Sequence, residues 1–89
     1  MSGAESAEIR LKRLRLRSWR RGTKEMDMIL GPFADAELAG LGAETLDLYE
    51  ALLEENDQDL YVWVTGQAAA PEPLAGLIET IGRAARERP

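Results

Sequence analysis

With 89 residues, 45% of them hydrophobic, and a net charge of -5, the chain has the size of one domain and enough apolar content for a modest core. It contains neither cysteine nor histidine, which removes disulfides, thiolate nucleophiles, the commonest general base and the commonest metal ligand, so an enzyme is a poor expectation. Charge is unevenly spread: residues 1–30 hold eight Lys/Arg against four Asp/Glu, and residues 31–89 hold three against twelve. The absence of a run of about 20 apolar residues argues against a membrane span, and no signal-peptide core is visible near the start.

Residues 1–8, rich in Ser, Gly, Ala and Glu, read as a frayed tail. From Ile9 to Trp19, Leu and Arg dominate and β-branched residues are nearly absent, which predicts a helix with basic residues at positions 10, 12, 13, 15 and 17 encircling it. Gly22-Thr23 breaks that helix, Gly supplying a turn and Thr23 an N-cap. A second helix begins near Lys24 with Met26, Ile29, Leu30 and Phe33 at helical spacing, but Gly31-Pro32 is expected to end or kink it. Pro32 then suits the first turn of a short helix reaching about Gly40.

Residues 42–56 form the clearest amphipathic pattern, with Leu46, Tyr49, Leu52 and Leu53 on one face and an acidic, solvated face opposite. Asp57 is expected to cap a helix of about residues 58–65 stopped by Gly66, despite the strand-like composition of Tyr61-Val62-Trp63-Val64. Residues 67–73 read as a linker. Leu74, Leu77, Ile78 and Ile81 mark a last helix closed by Arg83, Arg86 and Arg88. The expected fold is all-α, a single-domain bundle of five or six helices over residues 1–89.

One constellation carries chemistry: Arg17, Arg20, Arg21, Gly22, Lys24, Glu25 and Asp27 around a helix-turn-helix junction. Arginines beside a glycine turn present fork-shaped donors and free backbone N–H groups to an anion. The plainer alternative is a surface Arg21–Glu25 ion pair of roughly 0.3 to 0.5 kcal/mol beside an ordinary turn. Trp63 is open between two roles, filling the core or anchoring a partner. A basic first helix also admits nucleic acid or an antitoxin-like regulatory role, although the acidic body opposes phosphate. Acidic clusters without the Asn and Gly of a calcium loop give no reason to propose a metal.

The segment Arg17-Ser18-Trp19-Arg20-Arg21-Gly22-Thr23-Lys24-Glu25-Met26-Asp27 resembles the signature region of the succinate dehydrogenase flavinylation factors, whose hallmark Arg-Gly-x-x-Glu stands here as Arg21-Gly22-Thr23-Lys24-Glu25. Pro32-Phe33, Leu52-Leu53-Glu54 and Asp57-x-Asp59-Leu60-Tyr61-x-Trp63 extend the likeness over roughly residues 10 to 66. The resemblance implies a helical assembly factor that binds the flavoprotein subunit of succinate dehydrogenase, and in the wider family of fumarate reductase, and promotes covalent attachment of FAD to a partner histidine. FAD is then the partner's cofactor, with none held stably by this chain. Arg21, Gly22 and Glu25, supported by Arg17, Arg20, Lys24, Asp27 and Trp63, become the expected partner contacts. Glu25 either orients Arg21 or meets a partner cation, and charge reversal at Arg21 or Glu25 is expected to spare the fold. The remaining expectations are a monomer when free, without nucleic acid or membrane insertion, in a bacterial cytoplasm in preference to a mitochondrial matrix, since the arginine-rich start resembles a transit peptide in composition but runs straight into the hallmark.

Overall fold

The computed structural model describes residues 5–88, and these form five α-helices with no strand among them. They are α1 (Ala7–Trp19), α2 (Lys24–Glu37), α3 (Ala43–Leu52), α4 (Asp57–Val64) and α5 (Ala75–Glu87), with a 3₁₀ turn at Leu38–Gly40 after α2. No helix among the described residues is long and apolar enough to cross a membrane.

The helix starts follow side-chain chemistry. Ser6 Oγ accepts from the Ile9 N–H at 3.1 Å, so α1 begins earlier than expected and the tail shrinks, residues 1–4 lying outside the described part. Thr23 caps α2 by accepting from Met26 N–H at 3.3 Å, as its position predicts. At α4 the cap is Asn56, accepting from Asp59 N–H at 2.9 Å; Asp57 is the first helical residue instead of the cap. Gly66 ends α4 at φ +81°, a left-handed conformation that disfavours a side chain.

Two further boundaries differ from expectation. α2 runs straight through Gly31-Pro32 because the residues around the break are needed in the core: Met26, Leu30, Phe33 and Ala34 are all buried. Pro32 cannot donate to the Met28 carbonyl, and the Arg88 guanidinium reaches that carbonyl from the end of the chain at 3.4 Å. Gly31 is covered by the Trp19 ring, which occupies the space a Cβ would need, while the indole N–H donates to Asp35 at 3.2 Å. α3 stops at Leu52, short of residue 56, and its chain tightens through Glu54 N–H to Ala51 and Glu55 N–H to Leu52 bonds.

The core gathers Leu14 of α1, the buried face of α2, Tyr49 and Leu52 of α3, Leu60 and Val64 of α4, and Leu77, Ile78 and Ile81 of α5. Phe33 and Tyr49 stack with centroids 5.9 Å apart. The buried Ser18 hydroxyl donates to the Leu14 carbonyl at 2.8 Å, so its oxygen receives the Tyr49 hydroxyl at 2.6 Å. Both polar groups of this apolar layer are thereby satisfied.

The basic residues of α1 do not form an undivided ring. Arg10, Arg13 and Arg17 line one side and meet Asp47, Glu50 and Glu54 of α3 and the turn after it, at 2.7 to 3.0 Å. Glu5 clasps Arg13 through both carboxylate oxygens. The acidic face of α3, expected to be merely solvated, is therefore the other half of a charge ladder. Hydrogen bonds from Arg13 lead the causes that hold the Glu50 and Glu5 carboxyls below the usual carboxylate range. These pairs are partly exposed and each is worth about 0 to 1 kcal/mol, so they set register more than stability.

Burial pushes the Tyr49 hydroxyl up to about 12, against the smaller opposing effect of its bond to Ser18. A raised value means that the folded state holds the proton more tightly, so this contribution is complete below pH 10 and is lost as pH rises toward 12. Alkaline denaturation followed by circular dichroism should show that loss, and Tyr49→Phe should flatten it while costing about 1 kcal/mol at neutral pH. Gly31→Ala should displace Trp19 and destabilise by about 1 to 3 kcal/mol, read by melting and by a shift in indole fluorescence.

Candidate functional site

The turn between α1 and α2, residues 20–23, and the turn between α3 and α4, residues 53–56, lie against each other and are joined by Arg21. Its Nε donates to Asp57 Oδ1 at 2.9 Å, Nη1 to the Leu53 carbonyl at 2.6 Å and Nη2 to the Glu55 carbonyl at 2.7 Å. The Arg21 and Asp57 side chains are only 10% and 15% exposed. Arg17 adds a bond of 3.3 Å to the same Leu53 carbonyl. α3 has no basic residue in its own last turn, so two guanidiniums from α1 and the following turn meet the negative end of its dipole. Asp27 completes the clamp from α2 by accepting the Arg21 backbone N–H at 2.7 Å.

The hallmark residues therefore divide. Arg17, Arg21 and Asp27 face inward and are committed to bonds within the molecule. Arg20, Gly22, Lys24 and Glu25 are exposed, and none of Arg20, Lys24 and Glu25 has a salt bridge among the described residues. The expected Arg21–Glu25 surface pair does not form: the carboxylate that holds Arg21 is Asp57, thirty-six residues on, leaving Glu25 free to face outward. Gly22 has φ +103°, and a Cβ there would meet nothing within 4 Å. Glycine is thus required by the backbone conformation, and the space over it is open for another molecule.

Beside Gly22, a groove of about 410 Å³ runs between Thr23, Glu25 and Met26 on one wall and Asp57, Gln58, Tyr61 and Val62 on the other. Its α4 wall was not a site expectation, although Asp57 and Tyr61 stand in the motif-like run that extends the resemblance. Trp63, two residues on, faces elsewhere: it is half-buried, packs against the core and lines a separate groove of about 780 Å³ with the α4–α5 connection and α5. The structure does not bring it to the cluster around Gly22.

Residues 12–85 match the family described as "Flavinator of succinate dehydrogenase", and the chain belongs to that family. The relatives it matches are named "Succinate dehydrogenase assembly factor 2, mitochondrial". The Mycosarcoma maydis protein is 35% identical over 80 residues, covering 90% of this chain and 34% of its own length. Those of Debaryomyces hansenii and Candida glabrata are 43% and 44% identical over 61 residues, covering 68% of this chain and 43% and 40% of theirs. The chain thus spans less than half the length of these relatives. Their names overturn the expectation of a bacterial cytoplasmic location, pointing instead to mitochondria. That expectation rested on reading the arginine-rich start as part of the hallmark helix, which says nothing about location.

The inward position of Arg21 also corrects the expectation that reversing its charge would spare the fold. Arg21→Ala and Asp57→Ala should each cost about 2 to 4 kcal/mol, because each leaves a largely buried charge and, for Arg21, removes the donor to the Glu55 carbonyl and the shorter of the two bonds to the Leu53 carbonyl. The double variant should cost less than the sum, measured by denaturant unfolding.

Proposed function

We propose that this protein binds the flavoprotein subunit of succinate dehydrogenase and promotes covalent attachment of FAD to a histidine of that subunit. Fumarate reductase's flavoprotein would be a second client. The observation that carries this reading is the outward display of Gly22 and Glu25 from the hallmark of a flavinator family, on a turn locked from beneath by Arg21 and Asp57. A preorganised surface loses little conformational freedom on binding, which favours contact with a partner. Having no histidine or cysteine, the chain offers neither group to a flavin, and in this reading the reacting residue is the partner's.

The factor acts by binding one arrangement of the flavoprotein more tightly than others, raising the population in which histidine and flavin are aligned. Gly22 lets the partner's backbone approach the turn closely. Glu25 pairs with a partner cation, and Arg20 and Lys24 steer an acidic partner surface toward the turn. Arg17, Arg21 and Asp27 serve this surface by positioning it. Trp63, half-buried among core residues, supports α4. The free protein is monomeric in this reading and needs no cofactor of its own.

Glu25→Lys should abolish covalent flavin on the flavoprotein while leaving circular dichroism and melting unchanged, because the Glu25 side chain is exposed and has no salt bridge among the described residues. In-gel flavin fluorescence from cells lacking this gene, complemented with wild type or variant, reads the outcome. Full covalent flavin with Glu25→Lys would remove Glu25 from the interface. Full covalent flavin in cells without the gene would overturn the function itself.

A further inference from the structure

We propose that the groove between the first turn of α2 and α4 receives a lysine or arginine of the flavoprotein, carried on an apolar segment; this rests on the flavoprotein-binding reading above and names what its surface grips. The two ionisable acids lining the groove are Glu25 and Asp57. Glu25 has no salt-bridge partner among the described residues, and Asp57 commits Oδ1 to Arg21. Between them the lining is largely apolar, through Met26, Val62 and Tyr61, whose side chain is left outside the core with the residue 39% exposed.

The chemistry of the occupant follows from this lining. An anionic side chain would meet two carboxylates. A neutral apolar one would strip water from Glu25 without pairing it, leaving a desolvated charge. A lysine or arginine satisfies the accessible walls: its aliphatic stem lies on Val62, its cationic head reaches Glu25, and the Tyr61 ring offers a π face to the same cation. A groove of about 410 Å³ is within the range of pockets that bury most of a small ligand, so neighbouring apolar residues of the segment can enter with it. The inward clamp of Arg21 matters here, because it commits that guanidinium to Asp57 and leaves Glu25 without it.

The test measures binding of the full chain to purified flavoprotein subunit by calorimetry at low and high salt. Tyr61→Leu, which keeps apolar bulk and removes the π face, should weaken binding about fivefold to thirtyfold. Gln58→Trp, placed at an exposed position of the groove wall, should weaken it at least as much by filling the space, with melting as the control for folding. Glu25→Gln should weaken binding and reduce its salt dependence, and its loss should not multiply with that of Tyr61→Leu, since both act on one cation. Wild-type affinity in Tyr61→Leu and Gln58→Trp, with flavinylation still lost in Glu25→Lys, would overturn the groove while the flavoprotein-binding reading stands. Salt dependence unchanged in Glu25→Gln, or losses that multiply, would overturn the cationic occupant.

Discussion

Arg21 joins four segments of the fold through its guanidinium and its backbone N–H. It lies in the α1–α2 turn, ties down the carbonyls that close α3, pairs with the first residue of α4, and through its backbone N–H is fixed to α2. A planar fork with donors on three nitrogens suits this task, since it can meet two carbonyls and a carboxylate at once, which a lysine ammonium could not match in direction. The charge is stabilised by position: it faces the negative end of α3 and a carboxylate that shares its burial.

The ladder along α1 extends the same principle toward the N-terminus. Arg10, Arg13 and Arg17, spaced three and four apart, meet Asp47, Glu50 and Glu54 at the same spacing, and Arg21 with Asp57 continues the series beyond both helices. The inner rung is the strong one because it is largely buried, and the outer rungs keep the two elements in register. The ladder also answers the nucleic-acid alternative. Half of the basic residues in the first third of the chain are neutralised within the molecule, and the comparisons give that role no support.

This arrangement explains how one short motif can serve both fold and surface. Arg21 points in because its helix ends there and the carbonyls of α3 lie beneath it. Glu25, in the first turn of α2, points out because Met26 and Leu30 take the buried side of that helix. Gly22 lies between them in a conformation other residues avoid, and its open face is the consequence. Glu25 of the motif is left without a salt bridge among the described residues because a different acid, Asp57, takes the place beside the arginine.

Local patterns in the sequence were sufficient for the positions of the helices, the Thr23 cap and the all-α class, since helical apolar spacing, capping oxygens and glycine stops act within a few residues of one another, while the caps at Ser6 and Asn56 were not read. The family, too, was legible, from Arg21-Gly22-x-x-Glu25 and the Asp57 to Trp63 run. Pro32 misled because a proline break is a local rule, and burial of Phe33 and Ala34 together with a carbonyl partner from Arg88 overrode it. What only the tertiary structure decided was pairing at a distance: which arginines were bound, that Arg21 met Asp57 rather than Glu25, that Tyr61 opened onto the groove while Trp63 turned toward the core. Those outcomes depend on the direction in which packed helices bring side chains together, and a charge four residues away in sequence loses to one thirty-six residues away when the latter is fixed, buried and aligned.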